Sequence, residues 1–189
     1  MSKYLGVRDG DGVSPFYKAY LTQEGKTVTG YLTSCSIDLN QAWTGPFAED
    51  TAGSTAQKAA GVIQSMSGLT ATALWNSELI WQGAENIPFQ LVLDFVAYAN
   101  AEIEVDLAIK ALLEFASPQL NDVSPLGAIP QSVMMNLGRK IIAPIQIQNV
   151  SYDEAVAKTK DGFFVSNTVE LTCVLKSVLN SSEIGNVFK

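Results

Sequence analysis

The stretch Ile87-Pro88-Phe89-Gln90-Leu91-Val92-Leu93-Asp94-Phe95 decides the fold. From Phe89 onward every second residue is large and apolar, while Gln90 and Asp94 fall between them. Successive side chains of a strand point to opposite faces of a sheet, so a period of two predicts a strand with one buried face. Gln90 and Asp94 also interrupt the most apolar part of the chain, which is too short and too polar to span a bilayer.

The same alternation recurs on both sides of this stretch. In the segment that contains Cys35, from Tyr31 to Leu39, apolar and polar residues alternate. Glu24-Gly25-Lys26, before this segment, is typical of a turn. The alternation predicts further strands over residues 16–21, 31–39, 75–81, 132–137, 141–152 and 169–175. Strands of this kind, with one polar and one apolar side, are typical of antiparallel sheets.

One clear amphipathic helix is predicted between Glu102 and Ala116. Its apolar residues recur at helical spacing, and the acidic residues at its start complement the helix dipole. Ser117-Pro118 ends it, because proline disfavours helical angles in the residue before it. A second, weakly apolar helix rich in small residues is predicted inside an inserted loop and helix over residues 40–75.

The chain of 189 residues fits a single domain, residues 1–189. Residues 1–15 contain Asp9-Gly10-Asp11-Gly12, a density of glycine and aspartate that indicates a loop or flexible N-terminal arm. Residues 181–189 are expected to form a short C-terminal tail. The predicted fold class is α+β and β-dominated, an antiparallel barrel or sandwich with one flanking helix and one inserted helix.

The composition excludes several classes of function. The chain carries 19 acidic and 12 basic residues, so it does not attract a phosphate backbone through its overall charge. It has no histidine, which removes the Ser-His-Asp triad, the Cys-His pair and histidine metal ligands. No glycine-rich phosphate loop of the Gly-x-x-x-x-Gly-Lys-Ser/Thr or Gly-x-Gly-x-x-Gly type is present.

Three acidic residues, Glu102, Glu104 and Asp106, are the clearest carboxylates for acid–base chemistry. Acidic residues at the start of a helix are far more often caps and solvated charges, so we interpret them structurally. The Asp-x-Asp-Gly pattern at Asp9 occurs in calcium loops, but the later acidic ligand is missing. The sequence therefore predicts no catalytic, cofactor-binding or metal-binding residue, and the protein is not expected to be an enzyme.

The two cysteines, Cys35 and Cys173, both lie in apolar alternating segments. Their spacing does not favour a thiolate zinc site, and neither has a cationic neighbour in the sequence that would activate it. A disulfide between them requires neighbouring strands, which the sequence alone does not decide.

The order of the elements resembles the tail-tube fold of contractile-tailed phages and related injection machines, and is most similar to the baseplate versions that begin the tube. The resemblance spans residues 28 to 180 and rests on diffuse hydrophobic patterns. It is carried by Trp81-Gln82-Gly83, the strand around Leu91, the helix that ends at Ser117-Pro118, Val133-Met134-Met135-Asn136-Leu137-Gly138, Asp161-Gly162 and a final strand from Thr168 to Val174.

This resemblance implies a structural component of a phage tail or baseplate. In that family six copies form a ring whose sheets join into one wall, and stacked rings form a channel through which the genome passes. The partners implied are further copies in a hexameric ring, together with tube, hub and baseplate proteins. DNA passes through the lumen without specific binding, and the location implied is the virion, after assembly in the host cytoplasm. The extra helix and the N-terminal arm favour a tube initiator over the repeated tube subunit.

Asp38, Asp94 and Glu170 are the predicted lumen-facing residues. Each lies on the polar side of a strand whose other side is apolar, and an acidic lumen lets DNA slide because phosphates find no cationic anchor. An outward, solvent-facing position is the alternative for each.

Three rival functions remain open at this stage. The first is the main tail-tube subunit, and the second is a carboxylate-dependent glycan hydrolase of the tail. The third is a carbohydrate-binding module that uses Trp43, Trp75 and Trp81, although tryptophan is more often part of a core.

Overall fold

The computed structural model describes residues 4–44, 79–120 and 127–189. The chain divides into two compact units, one formed by Met1–Leu39 with Asn86–Lys189 and the other by Asn40–Glu85. The smaller unit overlaps the predicted insertion over residues 40–75, whose inserted helix lies outside the described residues. The single domain over residues 1–189 stays a prediction.

The secondary structure of the described residues is dominated by strands. They are β1 (Tyr4–Gly6), β2 (Lys18–Gln23), β3 (Lys26–Ile37), β4 (Gln41–Thr44), β5 (Ile80–Ala84), β6 (Pro88–Val96), β7 (Val133–Leu137), β8 (Ile141–Tyr152) and β9 (Ser166–Leu175). The helices are α1 (Leu107–Ala116), which continues from a π-helical turn at Glu102–Asp106, and α2 (Ile184–Val187). The predicted β-dominated α+β class is confirmed.

The strands of the larger unit pair in a closed circuit. Successive antiparallel pairs run from β3 to β2, β7, β8, β9 and β6, and β6 pairs again with β3. The long β3 makes this closure, because its first half pairs with β2 and its second half pairs with β6. β1 adds a short parallel pairing to β3.

The core is formed by the inward-facing residues of these strands. The alternation that predicted β6 is realised directly, since Phe89, Leu91, Leu93 and Phe95 are all buried. Burying each such side chain contributes about 2–3 kcal/mol relative to leaving it in water. Gly30 packs beneath Phe95, where a β-carbon would lie only 3.0 Å from the ring.

Helix α1 covers this core with its apolar side. Ala108, Ile109, Leu112 and Phe115 are buried, and the helix packs against β8, β1 and β3. It ends at Ser117, in extended conformation before Pro118 as the sequence predicts. Within the described residues, no helix has the length and apolar character needed to cross a membrane.

Both chain ends contact the larger unit, while the N-terminal arm over residues 1–15 and the C-terminal tail over residues 181–189 stay predictions. Residues 4–6 form β1, and Leu5 and Val7 are buried in the core. At the other end, Val187 is buried and the Lys189 amide donates to the Lys140 carbonyl at 2.7 Å. A few buried apolar residues anchor both ends. They are hard to recognise in the sequence because the residues around them are typical of turns.

The described part of the smaller unit is a two-stranded antiparallel ribbon of β4 and β5. Residues 41–44, predicted as loop, therefore form a strand. The strand predicted over residues 75–81 overlaps β5, Ile80–Ala84, only at residues 80 and 81, and residues 75–78 lie outside the described residues. Trp43 lies opposite Trp81, with 55% and 56% of their surfaces exposed. Trp75 lies outside the described residues.

Both cysteines are free thiols. Cys35 lies opposite Leu91, while Cys173 lies opposite Phe89, so strand β6 runs between them. Two strand spacings separate their backbones by roughly 10 Å, which is too far for a disulfide. Burial raises the pKa of Cys35, and it raises the pKa of Cys173 to about 12.

Candidate functional site

The candidate site is the outward side of four adjacent strands. We call it the polar face: the non-core side of β3 from Tyr31, of β6, of β9, and of β8 from Gln146. Its residues are mostly hydroxyl and amide side chains with two carboxylates. None of these four strand segments contains a lysine or an arginine.

Asp94 lies on β6, two residues before the end of that strand. In the strand register it is opposite Tyr31 of β3 and Thr168 of β9. The hydroxyl of Thr33 donates to its Oδ2 and that of Thr168 to its Oδ1, each at 2.6 Å. The carboxylate is therefore held by hydroxyl groups from both neighbouring strands, without a cation.

Glu170 is on the same face, one strand away. It lies opposite Val92 of β6 and Ser151 of β8, and it is exposed. Thr168, which binds Asp94, lies on the same side of β9 two residues before Glu170. The structure thus brings two of the three predicted residues together, while their lumen-facing role stays a prediction.

Asp38, the third predicted residue, directly follows the end of β3. Its amide donates weakly to the Pro88 carbonyl at 3.5 Å, and the residue is exposed. Asp38 therefore lies at the end of the polar face, beyond the strand that carries Tyr31.

The polar face is bordered by two unpaired strand edges. β3 pairs with β2 only as far as Tyr31, and residues 32–37 make no described backbone pairing on that side. β8 pairs with β7 only as far as Ile145, and residues 146–152 likewise make none there within the described chain. Unpaired N–H and C=O groups of this kind are ready to pair with another strand.

A buried carboxylate, Glu104, lies outside this face. Its Oε2 accepts backbone N–H groups of Tyr98, Ala99 and Asn100 at 2.7, 2.9 and 3.1 Å. Its Oε1 lies 2.9 Å from Nε of Arg8, an ion pair without hydrogen-bond geometry. Burial acts to raise the pKa of Glu104, but the three amides and Arg8 outweigh it and hold the pKa below its ordinary value.

The acidic group at the helix start is structural. Asp106 pairs with Lys110 at 2.7 Å, and Glu104 fixes the loop before the helix, while Glu102 is exposed. Among the described residues, no three His, Cys, Asp or Glu side chains cluster so as to hold a metal ion. Of the three carboxylates that the sequence singled out for acid–base chemistry, Glu104 and Asp106 thus bind different partners.

A second buried polar cluster was missed by the sequence analysis. Nζ of Lys18 donates to Oδ1 of Asp11 at 2.8 Å and to the Arg8 carbonyl at 2.7 Å, and Tyr31 donates to Oδ2 of Asp11. Burial acts to raise the pKa of Asp11, but the bonds from Lys18, Tyr31 and the Val13 amide lower it overall. Asp11 is thus the partner of Lys18. The alternation of apolar and polar residues along the strand does not indicate that Lys18 is buried.

No family model matches the sequence, and no curated protein matches it. Among solved structures, the tail of an empty gene transfer agent particle, refined helically with C6 symmetry, is 11% identical with a TM-score of 0.41, covering 92% of this chain and 98% of that chain. The virion of the native gene transfer agent particle is 10% identical with a TM-score of 0.36 over the same shares. The six-fold symmetrised baseplate of the anti-feeding prophage is 13% identical with a TM-score of 0.32, covering 87% and 92%. At this level of identity and superposition, the likenesses do not establish a family.

Proposed function

We propose that this protein is a structural subunit of a phage tail or baseplate, and that six copies form a ring that initiates or continues the tail tube. The polar face lines the channel, and the two unpaired edges join neighbouring copies. The observation that carries the proposal is the combination of a cation-free face with an open strand edge on each side of it.

The directions of the strands are compatible with joining copies edge to edge. β3, β6, β9 and β8 are successive antiparallel neighbours, so β3 and β8 run in opposite directions. The β8 edge of one copy placed beside the β3 edge of the next therefore continues the antiparallel alternation. Such a head-to-tail contact closes into a ring when its rotation completes a circle, and no free edge then remains.

The charge of the polar face suits a conduit for a polyanion. A phosphate backbone adheres to clustered lysine and arginine side chains through counterion release. The face offers instead hydroxyls, amides and the two carboxylates Asp94 and Glu170. Like charges repel, so DNA passes along such a wall without being retained.

The test of this proposal is the mass and shape of the native assembly, with and without the other tail proteins. Native mass spectrometry is expected to give a ring of six times the 20.3 kDa protomer mass. Electron microscopy is expected to show rings with a central bore. Long tubes from the purified protein alone would assign it as the main tube subunit, whereas rings that need a hub protein would assign it as an initiator.

A protomer that stays monomeric in the presence of every other tail protein would contradict the proposal. Replacing Glu102 and Glu104 with glutamine distinguishes the proposed structural role from that of a carboxylate-dependent glycan hydrolase. Loss of cell-wall clearing by particles that still assemble would favour a hydrolase over a tube subunit.

A further inference from the structure

Lys18 is a fully buried lysine on the outer side of the sheet. Its neighbours along β2, Ala19 and Leu21, point into the core, so Lys18 points away from it. In register it lies opposite Tyr31, which lies opposite Asp94. Two strand spacings place its backbone roughly 10 Å from that of Asp94, so this cation stands at the margin of the polar face.

What covers Lys18 is a segment that we call the strap, residues 8–13. β1 and β2 pair with the same residues of β3, so they occupy opposite edges of that strand. The chain between them must therefore cross β3. It crosses on the outer side, because Asp11 of the strap contacts both Nζ of Lys18 and the hydroxyl of Tyr31.

The strap satisfies and encloses the ammonium group. It contributes the Asp11 carboxylate and the Arg8 carbonyl, and Nζ lies 5.9 Å from the centre of the Tyr31 ring. The side chain of Lys18 has 0% exposure. Desolvating such a pair offsets much of its attraction, so the pair gives little stability that an apolar residue would not also give.

The strap itself is fastened at both ends. Before it, Gly6 of β1 and the amide of Val7 are bound to Thr29 of β3. Its first residue, Arg8, pairs with the buried Glu104, and after its last residue the turn Pro15–Tyr17 leads directly into β2. Its position is therefore fixed by the fold.

We infer that the strap is an electrostatic cover: it neutralises and hides Lys18, so that a polyphosphate chain moving along the polar face does not meet this ammonium group at its margin. The ligand class kept away is duplex DNA, and this identity rests on the proposed function. Without the strap, each copy in a ring would present one ammonium group beside Asp94.

The first test uses the wild-type protein. Limited acetylation of lysines followed by peptide mass spectrometry is expected to modify Lys18 at least about ten times more slowly than Lys176, which is exposed and has no ion pair among the described residues. Equal rates at the two lysines would overturn the inference.

The second test measures the affinity for a labelled DNA duplex by fluorescence anisotropy. Asp11→Asn is expected to bind about tenfold more tightly than wild type at low salt, with a steeper dependence on salt. Asp11→Asn/Lys18→Met is expected to return to the wild-type value, and Glu24→Gln, which removes an exposed negative charge in the turn between β2 and β3, is expected to match wild type. No gain for Asp11→Asn, or a gain that survives the loss of Lys18, would overturn the inference.

A second way of loosening the strap leaves Asp11 and Lys18 themselves unchanged. Gly6→Ala disturbs β1 while keeping every charge, so it is expected to increase DNA affinity in the same way and to lose that increase when combined with Lys18→Met. Electron microscopy of the same samples reports ring formation separately. If the variants form rings but their DNA affinity is unchanged, the inference about the strap is wrong and the proposed function is unaffected. If the wild-type protein forms no rings with its tail partners, the proposed function is wrong.

Discussion

Asp94 lies directly opposite Thr168 in the register of β6 and β9, and the Thr168 hydroxyl donates a 2.6 Å hydrogen bond to its Oδ1. Thr33 supplies the matching bond from β3 on the other side. A negative charge is thereby fixed across three strands by neutral donors. Under the proposed function, this fixed negative charge keeps phosphates from adhering to the channel wall.

Reversing one charge on the polar face is predicted to make DNA adhere. Glu170→Lys is the best single change, because Glu170 is exposed and its removal breaks no described hydrogen bond. Assembled rings of this variant are expected to bind duplex DNA about tenfold more tightly at low salt, and particles carrying it are expected to eject their genome more slowly. Anisotropy and ejection assays measure both effects.

Glu24→Lys is the matched control for that change. Glu24 is exposed in the turn between β2 and β3, off the polar face. Its replacement changes the net charge by the same amount without placing a lysine on the polar face. If Glu24→Lys and Glu170→Lys behave alike, or if ejection is unimpaired with lysine at both Asp94 and Glu170, the polar face does not line the channel.

The two open edges are predicted to meet between copies. Ser34→Cys on β3 and Ser151→Cys on β8, combined in one chain, are expected to give a ladder of covalent oligomers with a short bismaleimide of about 8 Å. Within one copy β6 and β9 separate these strands, at three strand spacings or roughly 14 Å, so the reagent does not bridge them internally. Denaturing electrophoresis measures the ladder.

The native thiols interfere little with this experiment, because burial raises the pKa of both Cys35 and Cys173. Ser34→Cys/Ser177→Cys moves the second thiol off the β8 edge and serves as the control. Equal ladders from the two double variants would show that the contact is not edge to edge.

The strands and the main helix could be predicted from the sequence because their signal is local. The buried row from Phe89 to Phe95 and the stop at Ser117-Pro118 each depend on residues that are adjacent or one turn apart. The shared face of Asp94 and Glu170 follows from the same alternation once β6 and β9 are paired.

Closure of the circuit and the docking of the strap could not be predicted, because they depend on partners far apart in the chain. β3 pairs with both β1 and β2 over residues 27–29 and with β6 from Tyr31 onward, and no periodicity encodes that choice. Asp9-Gly10-Asp11-Gly12 has the composition of a free loop, yet Asp11 is held by Lys18. Turn-forming residues indicate how freely the local backbone can bend. They do not indicate whether the segment packs against the rest of the protein.

Gly6→Ala is predicted to destabilise the docked N-terminal segment. Gly6 has a φ of +88°, and a β-carbon there would lie 2.1 Å from the Thr29 carbonyl oxygen, so β1 must move. The expected loss is about 2–4 kcal/mol of unfolding free energy, measured by chemical denaturation. Gly10→Ala is the control, because a β-carbon at Gly10 meets nothing within 4 Å, and an equal loss at Gly10 would contradict this account.

Glu104 is predicted to make the stability of the protein depend on pH in the acidic range. Its pKa is lowered in the folded state, so its contribution is fully present above the ordinary carboxyl value of 4.5 and is lost as the pH falls through the lowered value. At pH 7, Glu104→Gln is expected to cost about 1–3 kcal/mol, because three amides lose a charged acceptor. The difference in stability between Glu104→Gln and wild type should become smaller as the pH is lowered from 7 to 3, and thermal unfolding measures it. Glu102→Gln, on the same turn but exposed, should follow wild type throughout, and a gap that stays constant over this range would mean that the charge of Glu104 is not what stabilises the loop.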